Sequence, residues 1–323
     1  MPTQKHDWTA GDEMTSASLN ETGYMAFGED GSDGALAISS GTTTIDLGAE
    51  HVVVKNYTSI SITGSGKLAF SNPHANGTII ILKSEGDVTI TASATCIDAS
   101  KMGAVGGASI PMSITDGLPG SEGIGFLITC TEGLGGDDNH GVTAKAGGLA
   151  KVKVQMASNY SKYFNVAPGS GGGSGGNNSS SGTVDSGAGG RGGGTLIIEC
   201  AGAWNFTTAS GISVAGENGD AAVNTDSPQY ATGGGSGGGG GTFIAIYDTL
   251  TANSGTVIVS GGGGGAAVSS GISSGLSSPY GSSGGGSVKT QGSTSLQGSD
   301  TSAPNGVSGG AGISITALNL DFV

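Results

Sequence analysis

The sequence predicts an all-β protein, a parallel-β-helix-like or stacked short-strand body carrying long glycine-rich loops. Three observations predict it. One unit is written twice, from Gly194 and from Gly241, and more faintly from Gly77. The apolar runs are short and β-branched, with no helical stretch between them. Glycine supplies 67 of the 323 residues and gathers into tracts that punctuate those runs. A bundle of polyglycine-II helices over residues 169–312, seated on a smaller β-domain, is the alternative architecture.

The repeat is the strongest of the three. Its first copy reads Gly194-Thr-Leu-Ile-Ile-Glu-Cys, Trp204-Asn-Phe206, Ser210-Gly-Ile-Ser-Val-Ala-Gly216. Its second reads Gly241-Thr-Phe-Ile-Ala-Ile-Tyr, Thr249-Leu-Thr-Ala-Asn, Ser254-Gly-Thr-Val-Ile-Val-Ser-Gly261. The starts lie 47 positions apart (241 − 194), and the ends, Val214 and Val259, lie 45 apart. The faint copy begins Gly77-Thr-Ile-Ile-Ile-Leu-Lys and continues through Asp87–Ala92 and Thr95–Ser100. Such a period marks a supersecondary unit whose neighbours bury each other's apolar faces.

In chain order, residues 1–24 stand apart. Thr15 or Ser16 can cap a short helical turn with Leu19 on its apolar side, and one turn needs a surface to dock on. Residues 35–70 carry the strand runs Thr43–Leu47, Val52–Lys55, Ser59–Thr63 and Lys67–Phe70, split by Gly or Asn turns. Ile60 and Ile62 alternate with Ser59, Ser61 and Thr63, as a half-buried strand requires. Beyond residue 101 the pattern loosens to Phe126–Cys130 and Ala150–Met156, the latter alternating Lys151 and Lys153 with Val152 and Val154. Glycine tracts occupy 169–194, 233–241, 261–265 and 284–286, and Ile313–Val323 reads as a closing strand. This divides the chain into an N-terminal segment (1–24), a strand body (25–168) and a glycine-rich repeat domain (169–323).

A resemblance enters through the first residues. Trp8-x-x-Gly11-x-x-Met14-Thr15-x-x-x-Leu19-Asn20 resembles the N-terminal segment of many bacteriophage tail and tail-fibre proteins. The stretch Phe27–Thr44, followed by repeats of the Gly-Thr-Ile-Ile … Ser-Gly-Ile-Ser-Val kind, is similar to glycine-rich phage and bacterial surface proteins. The resemblance implies a virion role, as a tail fibre or receptor-binding adhesin that mediates host attachment. It implies docking to other tail proteins through Trp8, Met14 and Leu19, a host-surface glycan or protein receptor, and a homotrimer. It transfers no catalytic residue. A glycan-depolymerising tailspike enzyme and an ice-binding or structural surface protein remain alternatives, the last hinted at only by Thr42-Thr-Thr44.

Composition narrows the classes further. A formal charge of −14 with 11 basic residues suits no nucleic-acid partner. The start of the chain lacks a signal-peptide core and no stretch approaches transmembrane length, so cytosolic synthesis without membrane insertion is expected. Cys96, Cys130 and Cys200 lack any paired spacing and read as buried free thiols. Asp137-Asp138-Asn139-His140 is the one cluster with calcium or acid–base potential, yet these are also turn residues, and a solvated turn is the reading adopted. His6, His51 and His74 read as scattered surface or turn residues. No cofactor is expected, and the glycine tracts lack the strand–loop–helix setting and Lys of a phosphate cradle.

The remaining candidates are two matched loops, 217–232 and 266–283. Each sets a tyrosine beside a proline, Tyr230 after Pro228 and Tyr280 after Pro279. A rigid aromatic tip gives contact area at low entropy cost and so suits a receptor-binding surface. The same rings could instead fold back over strand ends.

Overall fold

The computed structural model describes residues 28, 30–111, 114–125, 129–130, 133, 135, 166–178, 184–224, 231–266, 268–269, 309 and 313–318. Among them regular structure is all strand, without a helix. The first eight strands are β1 (Ala35–Ile38), β2 (Thr42–Asp46), β3 (Val52–Tyr57), β4 (Ser59–Ile62), β5 (Lys67–Ser71), β6 (Ile79–Ser84), β7 (Val88–Ile90) and β8 (Ala94–Asp98). Five two-residue strands follow: β9 (Ile114–Thr115), β10 (Gly123–Ile124), β11 (Thr129–Cys130), β12 (Asn177–Asn178) and β13 (Val184–Asp185). The repeat region adds β14 (Thr195–Phe206), β15 (Ser210–Ser213), β16 (Val223–Asn224), β17 (Ala231–Thr232), β18 (Thr242–Asn253), β19 (Thr256–Ile258), β20 (Val268–Ser269) and β21 (Ile313–Leu318).

Two parallel sheets make the body. The larger holds β1, β3, β4, β6, β7, β14, β18 and β21, and the smaller runs β2-β5-β8-β15-β19. Successive passes of the chain lay a strand in one sheet and then in the other. Strands from both sides of residue 169 therefore share one sheet, since β14 pairs with β6 and β7 on one edge and β18 on the other.

The two strong repeat copies meet in register. Thr195 pairs with Thr242 and Cys200 with Tyr247, the same offset as between Gly194 and Gly241. Irregularities after Cys200 and Trp204, with a shorter turn before β19, bring Ile212 opposite Val257 at the later, smaller offset. The runs around Cys200 and Trp204, read from sequence as separate, form one strand across this bulge. The faint copy pairs one residue away from its motif alignment: Thr195 lies against Ile79, not Thr78. Packing selects that register, because a one-residue slip would turn every side chain to the opposite face.

The faces explain the apolar runs. Ile80, Leu82, Leu196, Ile198, Phe243, Ala245 and Tyr247 point between the sheets and meet Leu68, Phe70, Ile97, Ile212 and Val214. Trp204, fully buried, lies at 6.0 Å from Phe206 edge-on and stacks on Tyr247. On the opposite face Ile79, Ile81, Ile197, Ile244 and Ile246 pack with Val166. A parallel strand covered on both faces needs a continuous apolar run, and β6 is buried at all six positions. All three cysteines are buried and none is in a disulfide. Burial pushes the Cys130 thiol up to about 12 and raises those of Cys96 and Cys200, so none is a thiolate near neutral pH.

Candidate binding face at the far end of the glycine tracts

The glycine tracts are ordered against one another. Gly169, Gly172 and Gly175 donate their N–H groups to the carbonyls of Gly193, Gly190 and Gly187. Gly187, Gly190 and Gly193 donate to Gly233, Ser236 and Gly239, which donate in turn to Gly176, Gly173 and Ser170. All nine bonds measure 2.8–3.0 Å, and the donors recur every third residue. Three tracts thus close a triangular relay of backbone hydrogen bonds.

Further tracts extend the lattice. Gly235, Gly238 and Gly241 donate to Asp220, Glu217 and Val214, while Gly103 and Gly107 donate to Gly192 and Gly172. Residues 217–222, read from sequence as the start of an outward loop, belong to this packing: Gly219, Asp220 and Ala222 each donate to another tract. Glycine is required here by contact distance. A Cβ at Gly189 would overlap the carbonyl of Gly172, and one at Gly106 that of Gly189. Ser170, Ser174 and Ser236 are fully buried among the glycines, and Ser174 Oγ accepts the Leu118 N–H at 2.8 Å.

The lattice fixes where its loops begin. Tracts 185–194, 214–222 and 233–241 join the body at β14, β15 and β18 and run to β13, β16 and β17 at their other ends. There β20, β17, β12 and β9 form an antiparallel sheet, and β13 pairs with β16. Thr232 lies opposite both Val268 and Asn177. Segments 179–183, 225–230 and 270–308 all leave from these small sheets. Tyr230 and Pro228 belong to the second segment and Tyr280 and Pro279 to the third; they lie outside the described residues, but the strands next to them are hydrogen-bonded neighbours. Trp8, Met14 and Leu19 also lie outside the described residues, as do Asp137, Asp138, Asn139 and His140. Among the described residues no cluster of His, Cys, Asp and Glu could hold a metal ion, and no helix is long and apolar enough to cross a membrane.

The chain's single arginine holds a position that sequence reasoning misses. Arg191 sits inside a glycine tract, and its Nη2 donates to the carbonyls of His74 at 3.1 Å and Gly103 at 3.2 Å. Burial lowers its pKa, opposed by nearby Glu217. Glu217 accepts from the Arg191 backbone N–H and from Lys101 Nζ at 2.8 Å. His51 and His74, read as scattered, are a pair: their rings stand edge to face with centroids 5.3 Å apart. A lone arginine in a tract otherwise of glycine and small residues, Ser186–Gly194, was the available signal. Nothing local in the sequence links two histidines 23 positions apart (74 − 51).

Comparison with models of protein families, with curated proteins and with solved structures finds no match to this chain.

Proposed function

We propose that this chain is a non-enzymatic virion protein, a tail fibre or receptor-binding adhesin of a tailed bacteriophage. In this reading the body is a β-helix-like stack and the tracts form a polyglycine-II bundle. Residues 1–24, with Trp8, Met14 and Leu19, dock a homotrimer to other tail proteins. The far ends of the tracts face a host-surface glycan or protein.

The observation that carries the reading is the sheet β20-β17-β12-β9, from which the two tyrosine-bearing segments leave side by side. Loops raised on a rigid scaffold are where binding concentrates. The three-residue donor period supports the polyglycine-II assignment, since that helix has three residues per turn. Parallel strands alternating between two sheets support the β-helix-like one.

The test is Tyr230→Ala combined with Tyr280→Ala. Each ring is expected to contribute about 1–2 kcal/mol at the receptor, multiplied by avidity across subunits. Adsorption to host cells should fall about tenfold or more while the melting temperature holds, since about 1.4 kcal/mol is a factor of ten. Unchanged adsorption with a clear drop in melting temperature would make both rings structural plugs and move binding elsewhere.

A further inference from the structure

The tract lattice is fastened to the strand body at the turn His74–Thr78, between β5 and β6. Val105 N–H donates to the Ala75 carbonyl, and Ile124 N–H to that of Asn76. Asn76 Nδ2 reaches the Glu122 carbonyl at 3.2 Å. Arg191 ties the His74 carbonyl to that of Gly103. Gly77 takes φ +85°, and a side chain there would strike Pro168, so the turn is pressed against the start of another tract. Three tract regions, around 103–105, 122–124 and 191, converge on five residues.

Two histidines hold that turn, each in a defined tautomer. The Gly77 carbonyl can only accept, so His51 Nδ1, 3.0 Å away, carries the hydrogen. His74 Nδ1 accepts the Asn76 N–H at 3.1 Å and is therefore unprotonated. The His74 backbone N–H donates to Thr78 Oγ1, whose hydroxyl donates to the Glu50 carbonyl. A proton added at His74 Nδ1 would remove the acceptor of the Asn76 N–H. A proton on His51 Nε2 would put a second cation 5.3 Å from the first, next to the residue that Arg191 already grips.

We propose that the His51–His74 pair is an acid-sensitive fastener between the strand body and the glycine-tract lattice, closed when both rings are neutral and loosened when they are protonated.

The neighbouring charges leave the pair uncompensated. Arg191 is a cation. Glu50 and Glu122 meet the turn through their backbone carbonyls, and Glu217 is engaged by Lys101 and the Arg191 backbone. Burial is the main cause of a lowered His51 pKa; the hydrogen bond to the Gly77 carbonyl opposes it, and the His74 ring adds a lesser lowering. A base whose folded-state pKa lies below its unfolded value binds protons more readily when unfolded. Its contribution is thus fully present above the unfolded pKa of about 6.5 and is lost as pH falls from there towards the lowered folded value.

Hydrogen–deuterium exchange of the intact chain, corrected for intrinsic exchange rates, tests this near pH 7.5 and near pH 5. Peptides from 101–107 and 186–194 should lose about tenfold of their protection at the lower pH, equivalent to about 1.4 kcal/mol. Peptides from β6 and the first half of β14 should not change. In His51→Gln with His74→Gln, protection should be the same at both pH values; if that variant fails to fold, His51→Gln alone, which removes the paired charge, should show less than half the wild-type loss on a logarithmic scale. Equal wild-type protection at both pH values, or a loss of the same size in the folded variants, would overturn the proposal.

Discussion

A glycine can be indispensable for two unrelated reasons, and two positions separate them. At Gly235 an added Cβ would overlap the carbonyl oxygen of Ala188 in the adjoining tract. At Gly34 nothing lies within 4 Å, yet φ is +75°. Gly34→Ala should therefore cost only the left-handed penalty, about 1–2 kcal/mol. Gly235→Ala must either push neighbouring tracts apart or break the Gly235 bond to Asp220, leaving buried backbone groups unpaired at about 1–3 kcal/mol each. Urea denaturation should place Gly235→Ala well below Gly34→Ala in stability, and tract peptides of the former should exchange faster. Equal losses would mean that the tracts yield to a methyl group and that their close approach is not what glycine supplies.

Along a single strand the same reasoning becomes one of coverage. β18 is buried from Thr242 to Tyr247, where β21 lies on its free edge, and exposed from Asp248 to Thr251. Phe243 is fully buried, whereas Leu250 is 49% exposed. Phe243→Ala should cost about 3–5 kcal/mol, the usual range for an aromatic core deletion. Leu250→Ala should cost well under half of that. A Leu250→Ala loss matching that of Phe243→Ala would show that the exposed half of β18 is covered in solution.

The strands of this element were largely legible, because β-branched runs such as Thr242–Tyr247 report their own burial. The register of β6 was not, since Thr78 and Thr195 head similar motifs while the inward faces pair Ile80 with Leu196. The tracts were legible only as two alternatives. Their partners are set by backbone groups that every glycine carries alike, so no pattern of side chains announces that Gly190 donates to Ser236. The fastener was invisible for a related reason: its contacts run from Arg191 to backbone carbonyls 117 and 88 residues away.

For the whole molecule, the body and lattice form one connected structure, with β14 and β18 entering each directly from a glycine tract. If the proposed virion role holds, removing residues 1–24 should leave a soluble, folded protein that no longer joins the particle. Incorporation assays on assembled virions check the second half of that expectation, and light scattering of the full chain checks for the proposed trimer. Normal incorporation of the truncated chain would remove Trp8, Met14 and Leu19 from the docking role, and a clean monomer at micromolar concentration would end the trimer proposal.

The triangular relay also has a mechanical meaning. Its hydrogen bonds run between tracts, across their length, whereas a tether between a particle and a surface would be pulled along that length. A load in that direction puts the bonds linking neighbouring tracts under shear together instead of peeling them one at a time. Tracts 185–194 and 233–241 also lie parallel, with 166–178 running opposite to both, so sliding any one would break bonds to both of its neighbours at once. Glycine, the residue least able to hold a shape alone, is here held by hydrogen bonds that such a load would have to break several at a time.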